Sequence, residues 1–498
     1  MGRGMAGRQD KVTYSQFACI GAGFSGIALG CTIKRWHGIT DIRFFERHSD
    51  LGGTWFVNQY PGCACDVHSL LYSFSFAPNP EWSELLSSRQ DIWQYLDKVA
   101  IQYGLRDKMS FNCSVERCEW IEQTARWRIA VRDTASGTTF AHECQFLYSG
   151  SGVLTEPRKA SLPNIEAFRG PVFHASQWRH DVDLTDKKVV VVGNGCSAAQ
   201  IVPAIKDRAR HVTQFARSRH WIVPPVEVPN TRLFQWLFTH VPGFLALSRL
   251  VAFLILESEM RGFYMTRAAA AIRRRTAADA ERYMRKMAPE RYHGMLIPDF
   301  EIGCKRRIYD PGYLASLHSD KVTLRDDSIE EVTPNGIRST GGHTEADVIV
   351  MASGFETNTF CTSIDIVGRG GVTAEEHWKS LGGPGAYNST CISGFPNFVM
   401  LLGHTSALMA VENAVNYSLR VMGPVLQGEA TAVEVKPEAE KRHVDQIQAD
   451  LEKTVWLSGC SNWYNRAEDG TVRNGMTYPY SQPYFWYQCL FPNYKAFN

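Results

Sequence analysis

Phe17-Ala18-Cys19-Ile20-Gly21-Ala22-Gly23-Phe24-Ser25-Gly26 is a short apolar run that breaks into a Gly-x-Gly-x-x-Gly turn. Ile27 to Trp36 then reads as a helix, and Ile42 to Phe45 as a second strand ending in Glu46. A lone glycine pattern says little. Set between a strand and a helix, with an acid ~20 residues further on, it is the fingerprint of a dinucleotide-binding βαβ unit. Gly21, Gly23 and Gly26 admit the tight turn and the close approach of a pyrophosphate, which the helix N-terminus stabilises. Glu46 stands where a carboxylate accepts hydrogen bonds from ribose hydroxyls.

A second copy lies downstream. Lys188-Val189-Val190-Val191-Val192 is a buried-strand run, Gly193-Asn194-Gly195-Cys196-Ser197-Ala198 is its turn, and a helix follows from Ala199. The next strand, His211 to Phe215, leads into Ala216-Arg217-Ser218, so Arg217 occupies nearly the place that Glu46 holds in the first copy. An acid suits a free 2′-hydroxyl and an arginine suits a 2′-phosphate. The two units therefore read as sites for FAD first and NADPH second, with a plain surface charge as the alternative for Arg217.

Between the copies, Gly52-Gly53-Thr54-Trp55-Phe56-Val57-Asn58-Gln59-Tyr60-Pro61-Gly62-Cys63-Ala64-Cys65-Asp66 combines a glycine pair, an indole, a Tyr-Pro-Gly turn and one carboxylate. Glycines allow close backbone approach, the indole gives a wide apolar surface and proline stiffens the exit. The stretch reads as the wall of a cofactor site with Asp66 near the ligand; a turn-capping role is the bland alternative for Asp66.

With 498 residues the chain is too long for one core. Hydrophobic content of 44% and charged content of 21% fit a globular protein, and a net charge of +2 argues against nucleic acid as the main partner. Thirteen cysteines are scattered without CxxC pairs, so no metal set is read and the thiols are expected to be reduced, in an intracellular, cytoplasmic protein. The start, Met1 to Ala6, carries no myristoylation signal, and the end no prenylation or peroxisomal signal. Leu233 to Leu256 is strongly apolar but interrupted by Pro242 and Arg249, and a basic helix-like stretch, Arg261 to Lys286, follows. This reads as a helical insertion or lid, with peripheral membrane contact through 233–256 as the alternative.

Phe146 to Gly152 and Asp347 to Phe355 each run from a strand into small residues, as expected where the chain crosses between nucleotide units. The predicted fold is α/β: two Rossmann-like dinucleotide-binding domains, the NADPH domain inserted in the FAD domain, with a helical insertion. The expected division is 1–155 (FAD, first part), 156–346 (NADPH, with the insertion at about 225–300) and 347–498 (FAD, second part, and a C-terminal wrap).

Three motifs resemble those of type I Baeyer–Villiger monooxygenases, within the flavin-dependent monooxygenases that bind two dinucleotides. Gly52 to Asp66 fits that group's Gly-Gly-x-Trp-x4-Tyr-Pro-Gly-x3-Asp motif at every fixed position. Phe168-Arg169-Gly170-Pro171-Val172-Phe173-His174-Ala175-Ser176-Gln177-Trp178 fits its FxGxxxHxxxW fingerprint, and Cys304-Lys305-Arg306 precedes Pro311-Gly312-Tyr313 where the group places a basic pair. The likeness spans about Phe17 to Tyr417 and, more loosely, the region from Trp463-Tyr464 onward. Departures stand at Arg179, at Leu402 to Ser406, where the group often has Gly-Pro-Asn, and at Ala198 in place of the last fingerprint glycine.

The resemblance implies an FAD- and NADPH-dependent monooxygenase that uses O2 through a C4a-(hydro)peroxyflavin. The chemistry is the cofactor's, and the protein positions and charge-balances it. It implies Arg306 as the catalytic cation and Asp66 as its partner, although Lys305-Arg306-Arg307 alone would read as a solvated basic run. It places Ser25, Glu46, Thr54, Trp55, Asp66, Tyr72 and Val115 at FAD. Cys65, Asp66, Gly195, Cys196, Ser197, Arg217, Ser218, Lys305 and Arg306 face NADPH. His174 is expected to organise the hinge rather than move protons. The implied reaction is conversion of a ketone to an ester or lactone, on a polyketide or terpenoid of fungal secondary metabolism. Epoxidation or hydroxylation, peroxide release from NADPH, and a non-catalytic nucleotide-binding protein are the alternatives.

Overall fold

The computed structural model of the chain describes residues 12–154, 156–159, 162–225, 231–357, 364–401, 407–460, 462–468 and 471–498. The readings at Met1–Ala6 and Leu402–Ser406, and the stretch 226–230 of the insertion, lie outside the described residues.

The first fingerprint opens the larger sheet. Thr13–Ile20 pairs in parallel with Ile42–Phe45 on one side and Thr139–Ser149 on the other, bringing Ile20 level with both Phe45 and Ser149. The sheet runs from Asp365–Val367 through Cys113–Ile121, Arg126–Asp133, Thr139–Ser149, Thr13–Ile20 and Ile42–Phe45 to Met109–Ser110, and Phe398–Met400 also pairs with Thr139–Ser149. Phe17, Ala18 and Cys19 are fully buried, as a strand covered on both faces requires. One face packs on the fingerprint helix Phe24–His37 and the later helix Ala407–Val421, through Ile27, Ala28, Val411 and Val415. That late helix is why the last third of the chain is needed to finish the first nucleotide unit.

The second fingerprint builds a separate five-stranded sheet, ordered Val322–Arg325, His211–Phe215, Lys188–Val192, Val348–Met351 and Val172–His174. All its pairings are parallel, which suits the unbroken valine run. Strand Val348–Met351 is an inner member of this sheet, so the chain leaves it after Met351 and not at 347, where the sequence reading set the division. The two crossing segments run side by side: Arg158 N donates to Gly354 O at 2.9 Å and Glu356 N to Glu156 O at 2.9 Å. The alternation of the two sheets along the chain is the inserted arrangement of two Rossmann-like units.

The insertion is helical. Thr231–His240, Phe244–Glu259 and Arg267–Met287 follow one another, and the first two meet at a 117° bend at Gly243, whose φ is +79°. Among the described residues no single helix is long and apolar enough to cross a membrane.

The expectation that every cysteine is a reduced thiol fails at one pair. Cys304 and Cys460 form a disulfide with Cα atoms 6.2 Å apart, closing a sequence separation of 156 residues. A pairing that depends on two distant segments folding together leaves no local sign in the sequence.

Candidate active site

The stretch Gly52 to Asp66 joins the two nucleotide units. At its start Gly52 N donates to Ala22 O at 3.0 Å, laying the glycine pair on the first fingerprint turn. A Cβ on Gly53 would stand 3.3 Å from the Gly23 Cα, and Gly53 itself has φ +54°. In the middle, a Cβ on Gly62 would stand 2.6 Å from the Gln200 carbonyl oxygen, so the Tyr-Pro-Gly turn lies against the second fingerprint helix Cys196–Ile205. Tyr60 Oη donates to Gln200 Oε1 at 2.9 Å, and Gln200 Nε2 donates to Ala64 O at 3.0 Å. Small residues sit where two backbones touch.

At its end, Asp66 meets Arg306. Arg306 Nε donates to Asp66 Oδ2 at 2.5 Å and an Nη donates to Oδ1 at 2.7 Å, a fork-on-carboxylate pair. Their side chains keep 33% and 27% of their surface, so the pair is screened but reachable. Burial alone would raise the Asp66 carboxyl, yet the guanidinium holds it below its ordinary value. Asp66 in turn holds the Arg306 pKa well above its ordinary value, against burial. Both groups are therefore fixed as ions.

The first cofactor cradle fits FAD. Gly21 has φ +94°, and a Cβ on Gly26 would come 2.4 Å from Gly21 O, leaving the turn open only to glycine. Gly23 precedes the helix with no side-chain cap, so the first helical N–H groups face the turn. Buried Glu46 accepts from Ala22 N at 2.9 Å and His48 N at 3.0 Å, which fixes its carboxylate at the turn while each oxygen keeps a further lone pair. Ser25 Oγ donates to Leu401 O at 3.4 Å. Thr54 opens the short helix Thr54–Val57, and Trp55 Nε1 donates to Tyr72 Oη at 3.2 Å with the rings edge-on. Val115 sits in the strand Cys113–Ile121, whose Cys113 N donates to Glu46 O; its side chain is buried in the core, so only its backbone is available to a ligand.

The second cradle fits a 2′-phosphorylated dinucleotide. Gly193 has φ +125°, and a Cβ there would come 2.3 Å from Ala352 O. Gly195 precedes the helix that starts at Cys196, and Ser197 Oγ donates to Tyr60 Oη at 3.4 Å. Asn194 donates to the Ser218 carbonyl, tying the turn to the end of the next strand. Lys305 lies 4.6 Å above the Phe300 ring, and its pKa is lowered by burial and then by the positive charge of Arg217. Neither Arg217 nor Lys305 has an ion pair among the described residues. The carboxylate of Asp299 offsets the effect of Arg217 on Lys305 only in part, so the two cations together favour an anion.

Cys65 and Cys196 flank the Asp66–Arg306 pair, but burial pushes the Cys65 thiol up strongly and the Cys196 thiol to about 12. Both stay protonated near neutrality and are poor nucleophiles. His174 ends the edge strand Val172–His174 of the second sheet, hydrogen-bonded to Ser176 Oγ at 2.8 Å and edge-on to Phe355 of the crossing segment.

One neighbour escaped the sequence reading, which named the Trp463-Tyr464 region without giving it a role. Buried Tyr464 faces Arg306; burial raises its pKa and the guanidinium opposes the rise. Asn462 seats that segment: its Nδ2 donates to Cys304 O at 3.1 Å, and its Oδ1 accepts from Tyr464 N at 3.0 Å. The disulfide joins the same two segments.

Residues 14–241 match the family described as flavin-binding monooxygenase-like. A Baeyer–Villiger monooxygenase of Streptomyces coelicolor is 33% identical over 95% of this chain and 91% of that protein. The FAD-binding monooxygenase tazF of Aspergillus terreus is 29% identical over 91% and 83%. A crystal structure of OTEMO in complex with FAD and NADP superposes with a TM-score of 0.84 at 25% identity, covering 98% of this chain and all of that one (100%).

Proposed function

The chain belongs to the flavin-binding monooxygenases of Baeyer–Villiger type and is an FAD- and NADPH-dependent monooxygenase; from that premise we propose that it inserts one oxygen atom of O2 beside the carbonyl of an apolar ketone, giving an ester or lactone. The observation that carries the reading is the Asp66–Arg306 pair, set where the wall between the two fingerprints ends.

When bound, FAD takes hydride from NADPH and activates O2. In this reading the glycine turn at Gly21–Gly26 holds the FAD pyrophosphate and Glu46 its ribose hydroxyls. Thr54, Trp55 and Tyr72 line the flavin, with Val115 contributing backbone. Gly193, Gly195, Cys196 and Ser197 receive the NADPH phosphates, and Arg217, Ser218 and Lys305 the 2′-phosphate. Arg306 stabilises negative charge that develops at the reacting oxygen and carbonyl, because a fixed guanidinium needs no reorganisation. Asp66 keeps that guanidinium charged and oriented, and Tyr464 closes its other side against water.

The proposal takes the substrate to be a small organic ketone of polyketide or terpenoid type and the compartment to be the cytoplasm. Turnover of a panel of cyclic ketones and polyenes under heavy-isotope O2 tests it. One labelled atom in the lactone ring supports the reading. An epoxide or alcohol, or peroxide equal to the NADPH consumed with every ketone, overturns it.

A further inference from the structure

The helix Phe244–Glu259 carries its polarity inside out. Its inner face touches the 3-10 turn Ser69–Leu71, and there Arg249 donates to Leu70 O and, at 2.6 Å, to Ser73 Oγ. Glu257 lies on the same inner face and accepts from Gln482 N at 3.4 Å. The outer face is Leu247, Leu250, Val251, Leu254 and Ile255, each with 48% to 60% of its surface exposed, joined by Ala246 and Ser258. The spacing i, i+3, i+4, i+7, i+8 is that of one helical stripe, and it contains no charge. A helix on the surface of a water-soluble body normally shows the opposite arrangement, charged outside and apolar inside.

Three further observations say what covers this face. The preceding helix, meeting it at a 117° bend, exposes Leu233 and Trp236, so the pair forms an apolar corner rather than a rod. The helix Gln482–Leu490 begins beside Glu257 and turns Tyr484, Trp486 and Tyr487 outward, ring types that settle at the boundary between headgroups and acyl chains. After Phe244–Glu259 the chain carries Arg261, and the helix Arg267–Met287 carries Arg267, Arg274 and Arg275, all exposed and without an ion pair among the described residues. Aliphatic, aromatic and guanidinium groups in that company match the acyl, interfacial and phosphate layers of a bilayer surface. We infer that this corner docks on an anionic phospholipid membrane, lying in its surface without spanning it.

Flotation of the FAD-loaded enzyme with phosphatidylcholine vesicles containing about 30% phosphatidylserine tests the inference. Wild type is expected to float with the vesicles, less so at high salt. L250E/L254E, which places charges on the outer stripe, should cut partitioning by ~10-fold or more, and R274E/R275E should weaken it and remove the salt dependence. Neither variant touches the cofactor residues, so NADPH-dependent turnover of a water-soluble ketone should be unchanged and reports separately on the proposed reaction. Wild type that stays in solution overturns the inference. So does a concentration-dependent dimer that L250E/L254E splits in sedimentation velocity while wild type ignores vesicles, because the stripe then covers a second copy.

Discussion

Arg306 holds both carboxylate oxygens of Asp66, through Nε at 2.5 Å and an Nη at 2.7 Å, across 240 residues of sequence. One partner comes from the wall beside the first fingerprint and the other from the second unit, just after its helical insertion. The pair therefore forms only when both nucleotide units are folded and docked, and this makes the cation conditional on a complete site.

Arg306→Ala should leave FAD bound, because no cradle contact of the first fingerprint passes through it. Oxygenation should fall by ~100-fold or more, the order seen when a fixed stabilising donor is removed from a reacting site. NADPH consumption should continue, now yielding peroxide. Flavin absorbance, product yield and peroxide measured on one sample check this; unchanged oxygenation removes Arg306 from the role.

Arg217 and Lys305 repel one another, and Arg217 adds to the lowering of the Lys305 pKa that burial begins. A 2′-phosphate relieves that repulsion. Arg217→Ala should raise KM for NADPH by ~10–100-fold with little change for NADH, and Lys305→Ala should act in the same direction. Equal losses with both cofactors would point to general damage of the site.

Acid should destabilise the fold through three histidines. Burial lowers the pKa of His142, His220 and His443 from 6.5 to about 4, helped by Arg43 at His142 and Lys305 at His220. The unfolded chain takes up these protons as pH falls below 6.5, while the folded chain does not until about 4. Stability from this source is complete above pH 6.5 and drains away between 6.5 and 4. Thermal melts should fall as the pH is lowered across that range, and His443→Gln should make that fall shallower.

Much of this was readable because the chemistry is local. Each fingerprint carries its glycines, its helix and its acid or arginine within ~30 residues, so the α/β fold with two Rossmann-like units follows from short spans. The strands Ile42–Phe45, Lys188–Val192 and His211–Phe215 have the bounds that their apolar runs suggest. What escaped is non-local. Val348–Met351 reads as a crossing strand, yet its place inside the second sheet depends on partners at Val189 and Val172. Tyr464 sits in a stretch without periodicity and gains meaning only from Arg306. The apolar run at 233–256 was visible, but a sequence cannot say which face of a helix points outward. The disulfide is of the same kind.

Gly62 tests how the two units are aligned. Its φ of +79° is strained for any other residue, and a Cβ would press on the Gln200 carbonyl at 2.6 Å and on Ala204 at 3.2 Å. Gly62→Val should push the wall off the second fingerprint helix while leaving its Gly52–Ala22 anchor in place. FAD content should hold while KM for NADPH rises ~10-fold or more and peroxide release grows. Normal NADPH kinetics would show that the contact does not set the alignment.

The Cys304–Cys460 disulfide bears on the same cation from the other side. It joins the segment that leads into Lys305 and Arg306 to the one that seats Tyr464, with Asn462 bonded across the junction. A dithiol reductant opens it: the Cys304–Cys460 bond gains two electrons and two protons, which the dithiol gives up on becoming a disulfide; one peroxide released by the enzyme closes it again, oxidising the two thiols and leaving as two waters. Closing so long a loop stabilises the junction by about 2–4 kcal/mol. Non-reducing peptide mapping should recover the two cysteines linked. Cys460→Ser, or reduction of wild type, should expose the chain at 462–468 to limited proteolysis and shift turnover from product toward peroxide as Tyr464 leaves Arg306. FAD binding should be untouched, because the bonds that hold the Gly21–Gly26 turn and Glu46 run to Ala22 and His48 and not through the disulfide. Wild-type coupling in Cys460→Ser would mean that Asn462 alone holds the junction.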